Sequence, residues 1–138
     1  MSLLQKPTEN SFFQQKCDRL LKEDEIRFAG VINGMGRLEV GNFKEGIIPL
    51  EDNAEMQKMY MELALRVSMR KEFDYSLGPV KYCASRREKV VMISVPIGNN
   101  VLLVSAETHA DIDKLGKKIL KILKHYHLIR TVNRTRKV

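Results

Sequence analysis

Apolar runs separated by turn residues predict strands in two parts of the chain. Residues 26–32 are apolar and rich in strand-forming side chains, and Asn33-Gly34 follows them as a candidate type I′ hairpin turn, in which both residues take positive φ. The return strand over residues 37–43 alternates, which predicts one face towards solvent. Residues 90–95 and 101–106 are continuously apolar and predict two strands buried on both faces and joined as a hairpin.

Helical spacing of apolar positions predicts a helix before, between and after these strands. Ser11 opens a capping box, so the first helix is expected to begin there. The last helix is expected to begin with Thr108 as its N-cap, with Asp111 and Asp113 in its first turn. Gly78-Pro79 interrupts regular secondary structure. Polar and apolar residues alternate weakly over residues 80–85, which is typical of an edge strand. The predicted order of elements is α-β-β-α-β-β-β-α.

The middle helix, predicted over residues 52–70, is apolar on two opposite sides. One stripe is formed by Met56, Met59, Tyr60, Leu63 and Val67, and the other by Ala54, Met61, Leu65 and Met69. A helix that covers the sheet of its own domain needs one apolar stripe. The second stripe therefore indicates that the helix also contacts another molecule, most simply a second copy of the chain. The alternative is a helix buried wholly inside one domain.

Positive charge is concentrated at the C-terminal end. Residues 1–113 carry 15 Lys/Arg and 17 Asp/Glu, whereas residues 114–138 carry nine Lys/Arg and no acidic residue. Five lysines of the last helix fall within about 120° of one another around its axis. The candidate anion-binding residues are Lys114, Lys117, Lys118, Lys121, Lys124, Arg130 and Arg134. Such a face either binds nucleic acid or an acidic membrane surface, or only keeps the helix solvated.

No constellation of residues predicts catalysis. His109, His125 and His127 are the three histidines, and the last two point away from each other on a helix, so they cannot hold one metal ion together. Cys17 and Cys83 lie far apart in sequence without metal-ligand spacing and are expected to be buried free thiols. We therefore predict a protein that is not an enzyme and has neither a cofactor nor a metal.

Length and composition restrict the class of protein. With 138 residues, 43% of them hydrophobic and 30% charged, the chain is expected to form a single globular domain rather than a disordered or disulfide-framework protein. No apolar run approaches the ~20 residues of a membrane span. The first residues lack the order of a secretory signal, so we expect a cytoplasmic protein.

The order of elements resembles the roadblock (dynein-light-chain-type) domain, a relative of profilin-like and longin-like folds. The resemblance rests on the first hairpin, residues 28–38, and on the strand 101–106 that runs directly into the last helix. It spans about residues 10–127 and implies an α+β domain. We therefore predict a flexible N-terminus (1–9), the domain (10–129) and a basic C-terminal tail (130–138). Such domains have five antiparallel strands in the order 2-1-5-4-3, with the middle helix on one face and the terminal helices on the other.

The same resemblance implies a function. Roadblock domains typically dimerise through the middle helix and the edge strand after it, and they commonly act as non-enzymatic regulators or scaffolds of small Ras-like GTPases. On this chain the implied dimer interface is Met56, Met59, Tyr60, Leu63, Val67, Val80 and Tyr82, or the opposite stripe of the helix. The implied partners are a second copy and a small GTPase or another signalling protein. Two alternatives remain, an anionic-surface binder and a small-molecule sensor domain.

Overall fold

In the computed structural model, residues 5–124 are described. They form five strands and four helices. The strands are β1 (Ile26–Ile32), β2 (Leu38–Phe43), β3 (Cys83–Arg86), β4 (Val91–Ile97) and β5 (Asn100–Ala106). The helices are α1 (Gln5–Leu20), α2 (Asn53–Arg70), the one-turn α3 (Asp74–Leu77) and α4 (Ile112–Ile122). A short 3-10 turn, Lys71–Phe73, joins α2 to α3.

The strands form one antiparallel sheet in the order β2-β1-β5-β4-β3, as the roadblock resemblance implied. Phe28 pairs with Phe43 of β2 and with Ser105 of β5, so β1 is an inner strand. Cys83 pairs with Ser94, which places β3 at the sheet edge beside β4. The predicted α+β fold class and strand order are confirmed.

The two faces of the sheet carry different helices. α1 and α4 cover one face, where Phe13 and Ile119 belong to a buried cluster with side chains of β1, β4 and β5. α2 covers the other face, where Tyr60 packs with Phe28 and Leu103. Because both faces are covered, β4 and β5 are apolar at nearly every position, which explains their uninterrupted hydrophobic sequences.

The first hairpin has the predicted position but not the predicted turn. β1 ends at Ile32 and β2 begins at Leu38, and the positive φ of 81° falls on Gly36 rather than on Asn33 or Gly34. The Asn33 side chain accepts hydrogen bonds from the backbone N–H groups of Met35 and Arg37, at 2.9 and 3.0 Å. The type I′ prediction was therefore wrong, because the asparagine side chain organises a longer loop that Gly36 closes.

Three element boundaries also differ from those predicted. α1 begins at Gln5, so it takes in residues 5–9 of the segment expected to be flexible, and Ser11 lies inside the helix rather than at its cap. The N-cap of α4 is Asp111 rather than Thr108, because the Asp111 carboxylate accepts a hydrogen bond from the Lys114 N–H at 3.1 Å. β3 begins at Cys83, three residues later than predicted.

The start of α2 is as predicted. Asp52 is the N-cap, and its carboxylate accepts a hydrogen bond from the Glu55 N–H at 2.8 Å. The Glu55 carboxylate in turn accepts one from the Asp52 N–H at 3.1 Å, which completes the capping box. This reciprocal pair fixes where the helix begins and hence which of its stripes meets the sheet.

Candidate functional site

The two apolar stripes of α2 have different environments. Tyr60 and Val67 are 7% and 4% exposed, and with Met56, Met59 and Leu63 they form the side of the helix that packs on the sheet. On the opposite stripe, Met61 and Leu65 are each 62% exposed and Met69 is 57% exposed. The helix therefore uses one stripe to cover its own domain and presents the other, which we call the outer stripe, at the surface.

Exposed apolar side chains continue beyond the C-terminal end of α2. Phe73, Tyr75 and Leu77, in the 3-10 turn and α3, are all more than half exposed. In Lys71–Leu77 no residue is buried. An apolar surface of this kind on a small domain is typical of a site of protein–protein contact.

A cleft of about 640 Å³ lies between α2 and the β3–β4 end of the sheet. Its apolar lining includes Met59 and Leu63 from α2 and Met92 and Leu103 from the sheet. Charged side chains also line it: Glu51, Glu55, Glu62, Arg66, Arg70, Arg87, Glu88 and Lys89. The cleft exists because α2 covers only part of its side of the sheet.

The outer edge of β3 carries backbone groups that no described strand pairs with. The Arg87 N–H donates to the Val90 carbonyl at 2.9 Å, and hydrogen-bonded pairs alternate along an antiparallel ladder. Cys83 and Ser85 are therefore the β3 residues that bond to β4. Ala84 and Arg86 direct their N–H and C=O groups away from β4, towards the open edge.

The start of β3 is tied to the opposite face of the molecule. The Tyr82 hydroxyl donates a hydrogen bond to the Asp113 carboxylate, and this bond raises the pKa of the tyrosine. Its ring lies against Gly116, where an added Cβ would be 2.9 Å from the ring carbons. The Arg86 guanidinium donates to the Thr108 and Ala110 carbonyls, at 2.5 and 2.9 Å. The edge strand is thus held in place by α4 and the loop before it, contacts that no sequence motif signalled.

The seven residues predicted for a dimer interface lie in three places. Met59 and Leu63 line the cleft, while Met56, Tyr60 and Val67 cover the sheet of their own chain. Val80 and Tyr82 are half-buried just before β3. The structure thus brings together the cleft and the β3 edge, because Cys83, Ala84 and Ser85 also line the cleft. Sequence reasoning missed the charged lining of the cleft.

The predicted basic face of α4 lies on the opposite side of the sheet. Lys114, Lys117, Lys121 and Lys124 are exposed, whereas Lys118 is half-buried and its ammonium lies 3.0 Å from the Glu23 carboxylate. Hydrogen bonds from Lys118 and Arg19 lower the pKa of Glu23. The other two candidates, Arg130 and Arg134, lie outside the described residues.

The titratable groups of the described chain do not assemble into a metal centre. Within residues 5–124, no three His, Cys, Asp or Glu side chains come close enough together to bind a metal ion. Burial, helped by the nearby charge of Asp18, raises the pKa of the Cys17 thiol to about 12. Cys17 therefore stays a neutral thiol at physiological pH. The same part of the chain contains no helix that is both long and apolar enough to span a bilayer.

The state of Cys17 leads to a direct test. In a Cys83→Ser variant, Cys17 is expected to react with a thiol reagent at least about 100-fold more slowly in the native protein than after denaturation, because only the thiolate is nucleophilic. The measurement is the alkylation rate at pH 8, followed by mass spectrometry. Equal rates in the native and denatured states would contradict the burial of Cys17.

Comparison with solved structures places the fold among roadblock domains. A Roadblock/LC7 domain from Streptomyces avermitilis is 15% identical, with a TM-score of 0.60 over 83% of this chain and 97% of that chain. The gliding protein MglB from Thermus thermophilus is 13% identical, with a TM-score of 0.65 over 85% of this chain and 89% of that chain. MglB from Myxococcus xanthus is 16% identical, with a TM-score of 0.58 over 86% and 92%. The chain thus has the roadblock fold.

Comparison of the sequence with known proteins identifies the family of the chain. No curated protein matches the chain. A family model described as a family of unknown function, DUF6659, matches residues 8–128, which is most of the chain. The protein therefore belongs to the DUF6659 family.

Proposed function

We propose that this protein is a non-enzymatic regulatory or scaffold module that works as a homodimer and binds a small Ras-like GTPase or another signalling protein. The observation that carries the proposal is the outer stripe, in which Met61, Leu65 and Met69 are each more than half exposed. The shared roadblock fold supports the proposal, since the resemblance of this sequence to roadblock domains implies that role.

In the proposed dimer, the β3 strands of two copies pair antiparallel through the groups that Ala84 and Arg86 direct outwards. This pairing continues the sheet from one subunit into the other and removes its exposed edges. It also brings the α2 helix of each copy towards the cleft of the other, where Met59 and Leu63 lie. The same side chains then complete the covering of the sheet across the two-fold axis.

The cleft carries charges of both signs on both of its sides. Glu55, Glu62, Arg66 and Arg70 line it on the α2 side, whereas Arg87, Glu88 and Lys89 line it at the β3–β4 turn. Because a two-fold axis through the paired edges brings each α2 towards the β3–β4 turn of the other subunit, acidic and basic side chains of the two copies meet. The cleft is therefore suited to a charged protein surface such as a second copy of the chain rather than to an apolar small molecule.

Sedimentation of the full chain tests the dimer. We expect a dimer at micromolar concentrations that dissociates on dilution, because an interface made of one strand edge and half-buried side chains is of moderate size. A monomer that persists at high micromolar concentrations would remove the basis of the proposal.

The outer stripe is the proposed contact for the signalling partner. A Leu65→Glu substitution is expected to weaken binding of a purified small Ras-like GTPase at least about tenfold, because it places a charge at the centre of an apolar contact. Binding is measured by calorimetry with the GTPase in its GDP and GTP-analogue forms.

Ile48→Glu is the matched control for Leu65→Glu. Ile48 is 81% exposed but lies in the loop between β2 and α2, so the same chemical change is made outside the helix. The control is expected to bind like the wild type. An equal loss in both variants would contradict the assignment of the partner site to α2.

A further inference from the structure

The exposed side of α4 is strongly basic, whereas α2 on the other side of the sheet is close to neutral. Residues 111–124 carry five lysines and two aspartates, and residues 51–70 carry three basic and four acidic residues. The lysine face, defined as Lys114, Lys117, Lys118, Lys121 and Lys124, points away from the core because Leu115, Ile119 and Leu123 are buried beneath it. The two sides of the sheet therefore differ in the partners that they attract.

The two acidic side chains of α4 do not neutralise the lysine face. The Asp111 carboxylate caps the helix by accepting a hydrogen bond from the Lys114 N–H. The Asp113 carboxylate accepts a hydrogen bond from the Tyr82 hydroxyl. Among the five lysines, Lys118 forms an ion pair with Glu23. Four exposed ammonium groups thus face outwards together.

The shape of this side of the molecule favours a flat partner. α4 lies beside α1 in one layer, and the Lys118–Glu23 ion pair links α4 to the end of α1. Two helices side by side, each about 10 Å across, form a face wider than the major groove of DNA, which is about 12 Å wide and admits one helix. Residues 112–124 also contain no Arg, Asn or Gln, which leaves lysine as the one side chain there that commonly reads purine base edges.

We propose that the lysine face docks this protein on an anionic phospholipid surface. Lysine ammonium groups near such a surface each add to the attraction, and the apolar side of α4 is already used by the core, so no part of the helix inserts. Docking by charge alone is reversible and sensitive to salt. The outer stripe of α2, on the other side of the sheet, stays accessible to a protein partner.

Dimerisation strengthens this docking, a step that rests on the proposed function. Antiparallel pairing of two β3 edges uses a two-fold axis perpendicular to the sheet, so both lysine faces point to the same side. The two lysine faces of one dimer bind the same membrane. Once the first face is bound, the second is held close to the surface at a high effective concentration, so the affinity of the dimer exceeds that of one subunit. The dimer thus presents both outer stripes on one side and both lysine faces on the other.

The test is binding of the full chain to vesicles of phosphatidylcholine with and without phosphatidylserine. We expect binding to the anionic vesicles alone, and its loss when the ionic strength rises from about 0.1 M to about 1 M, which shortens the Debye length from about 10 Å to about 3 Å. Equal binding to neutral vesicles, binding that persists in high salt, or no binding at low salt would each overturn the proposal.

A pair of matched variants locates the site. Lys117→Gln/Lys121→Gln removes two exposed charges from the lysine face and is expected to weaken vesicle binding by about 30-fold. Arg37→Gln/Lys58→Gln removes two exposed charges from the hairpin loop and α2 and is expected to bind nearly like the wild type. Equal losses in the two variants would place the site elsewhere. All four positions are exposed, and thermal melts are expected to match the wild type.

Two further measurements separate this proposal from its competitors. Generic double-stranded DNA and RNA, tested at the same salt concentration, are expected to bind more weakly than the anionic vesicles, and tighter binding to either would overturn the proposal. Sedimentation of Lys117→Gln/Lys121→Gln is expected to match the wild type. If the wild type is a monomer and its lysine face still binds vesicles, the proposed dimer fails while the membrane contact stands.

Discussion

Replacing Gly41 by alanine is expected to lower the melting temperature by roughly 10 °C. Gly41 lies in β2 with a φ of 136°, which L side chains rarely adopt. A Cβ there would be 2.4 Å from the Cα of Gly30 and 2.5 Å from the carbonyl oxygen of Ala29. Both are backbone atoms of the neighbouring β1, so they cannot rotate away. Strain and clash together cost about 3 kcal/mol, which corresponds to that shift in a domain of this size.

Gly46→Ala separates the clash from the backbone strain. Gly46 also has a positive φ, 84°, but no atom lies within 4 Å of the position that a Cβ would take. Its replacement is expected to cost only about 1 kcal/mol, the conformational penalty alone. Thermal melts by circular dichroism give both values. Equal losses in the two variants would mean that β1 and β2 do not approach each other as closely as described.

Much of the fold could be predicted because local and global requirements agree. β4 and β5 are apolar throughout since helices cover both faces of the sheet, and such runs are visible in sequence. The capping box at Asp52 and Glu55 marks the start of α2 through neighbouring residues alone. The strand order came from the resemblance to roadblock domains rather than from any one residue.

The errors arose where a distant contact decides the local structure. The Asn33-Gly34 pair is a strong signal for a two-residue turn, yet the loop closes at Gly36, whose backbone lies against Met61 of α2. A Cβ on Gly36 would be 2.7 Å from the Met61 Cα, so the helix leaves room only for glycine. A pattern confined to the hairpin cannot show that α2 will lie there.

The candidate site was only partly visible for the same reason. Both stripes of α2 are apolar, and what distinguishes them is the contact of Tyr60 with Phe28 and Leu103 on the sheet. The cleft depends on how far α2 extends over the sheet towards β4, which no spacing in the sequence encodes. The lysine face, by contrast, followed directly from helical periodicity, because α4 needs only one apolar side.

Ala84→Pro is expected to convert the proposed dimer into a monomer. The Ala84 N–H points to the open edge of β3, so proline removes a hydrogen-bond donor from the dimer contact while leaving the Cys83 and Ser85 bonds to β4 in place. Because both subunits carry the substitution, the dimer loses two hydrogen bonds. The dimer dissociation constant is expected to rise by roughly 30- to 100-fold, as measured by sedimentation equilibrium.

Ala84→Ser is the control, because it keeps the N–H and nearly the size of the side chain at the same position. We expect it to remain dimeric, and we expect Ala84→Pro to keep the wild-type circular dichroism spectrum because edge strands tolerate proline. The monomeric variant is further expected to bind anionic vesicles more weakly than the wild type but not to lose binding, since one lysine face remains. If Ala84→Pro stays dimeric, the two copies do not pair through β3, and the cleft and outer stripe must then meet a partner in another arrangement.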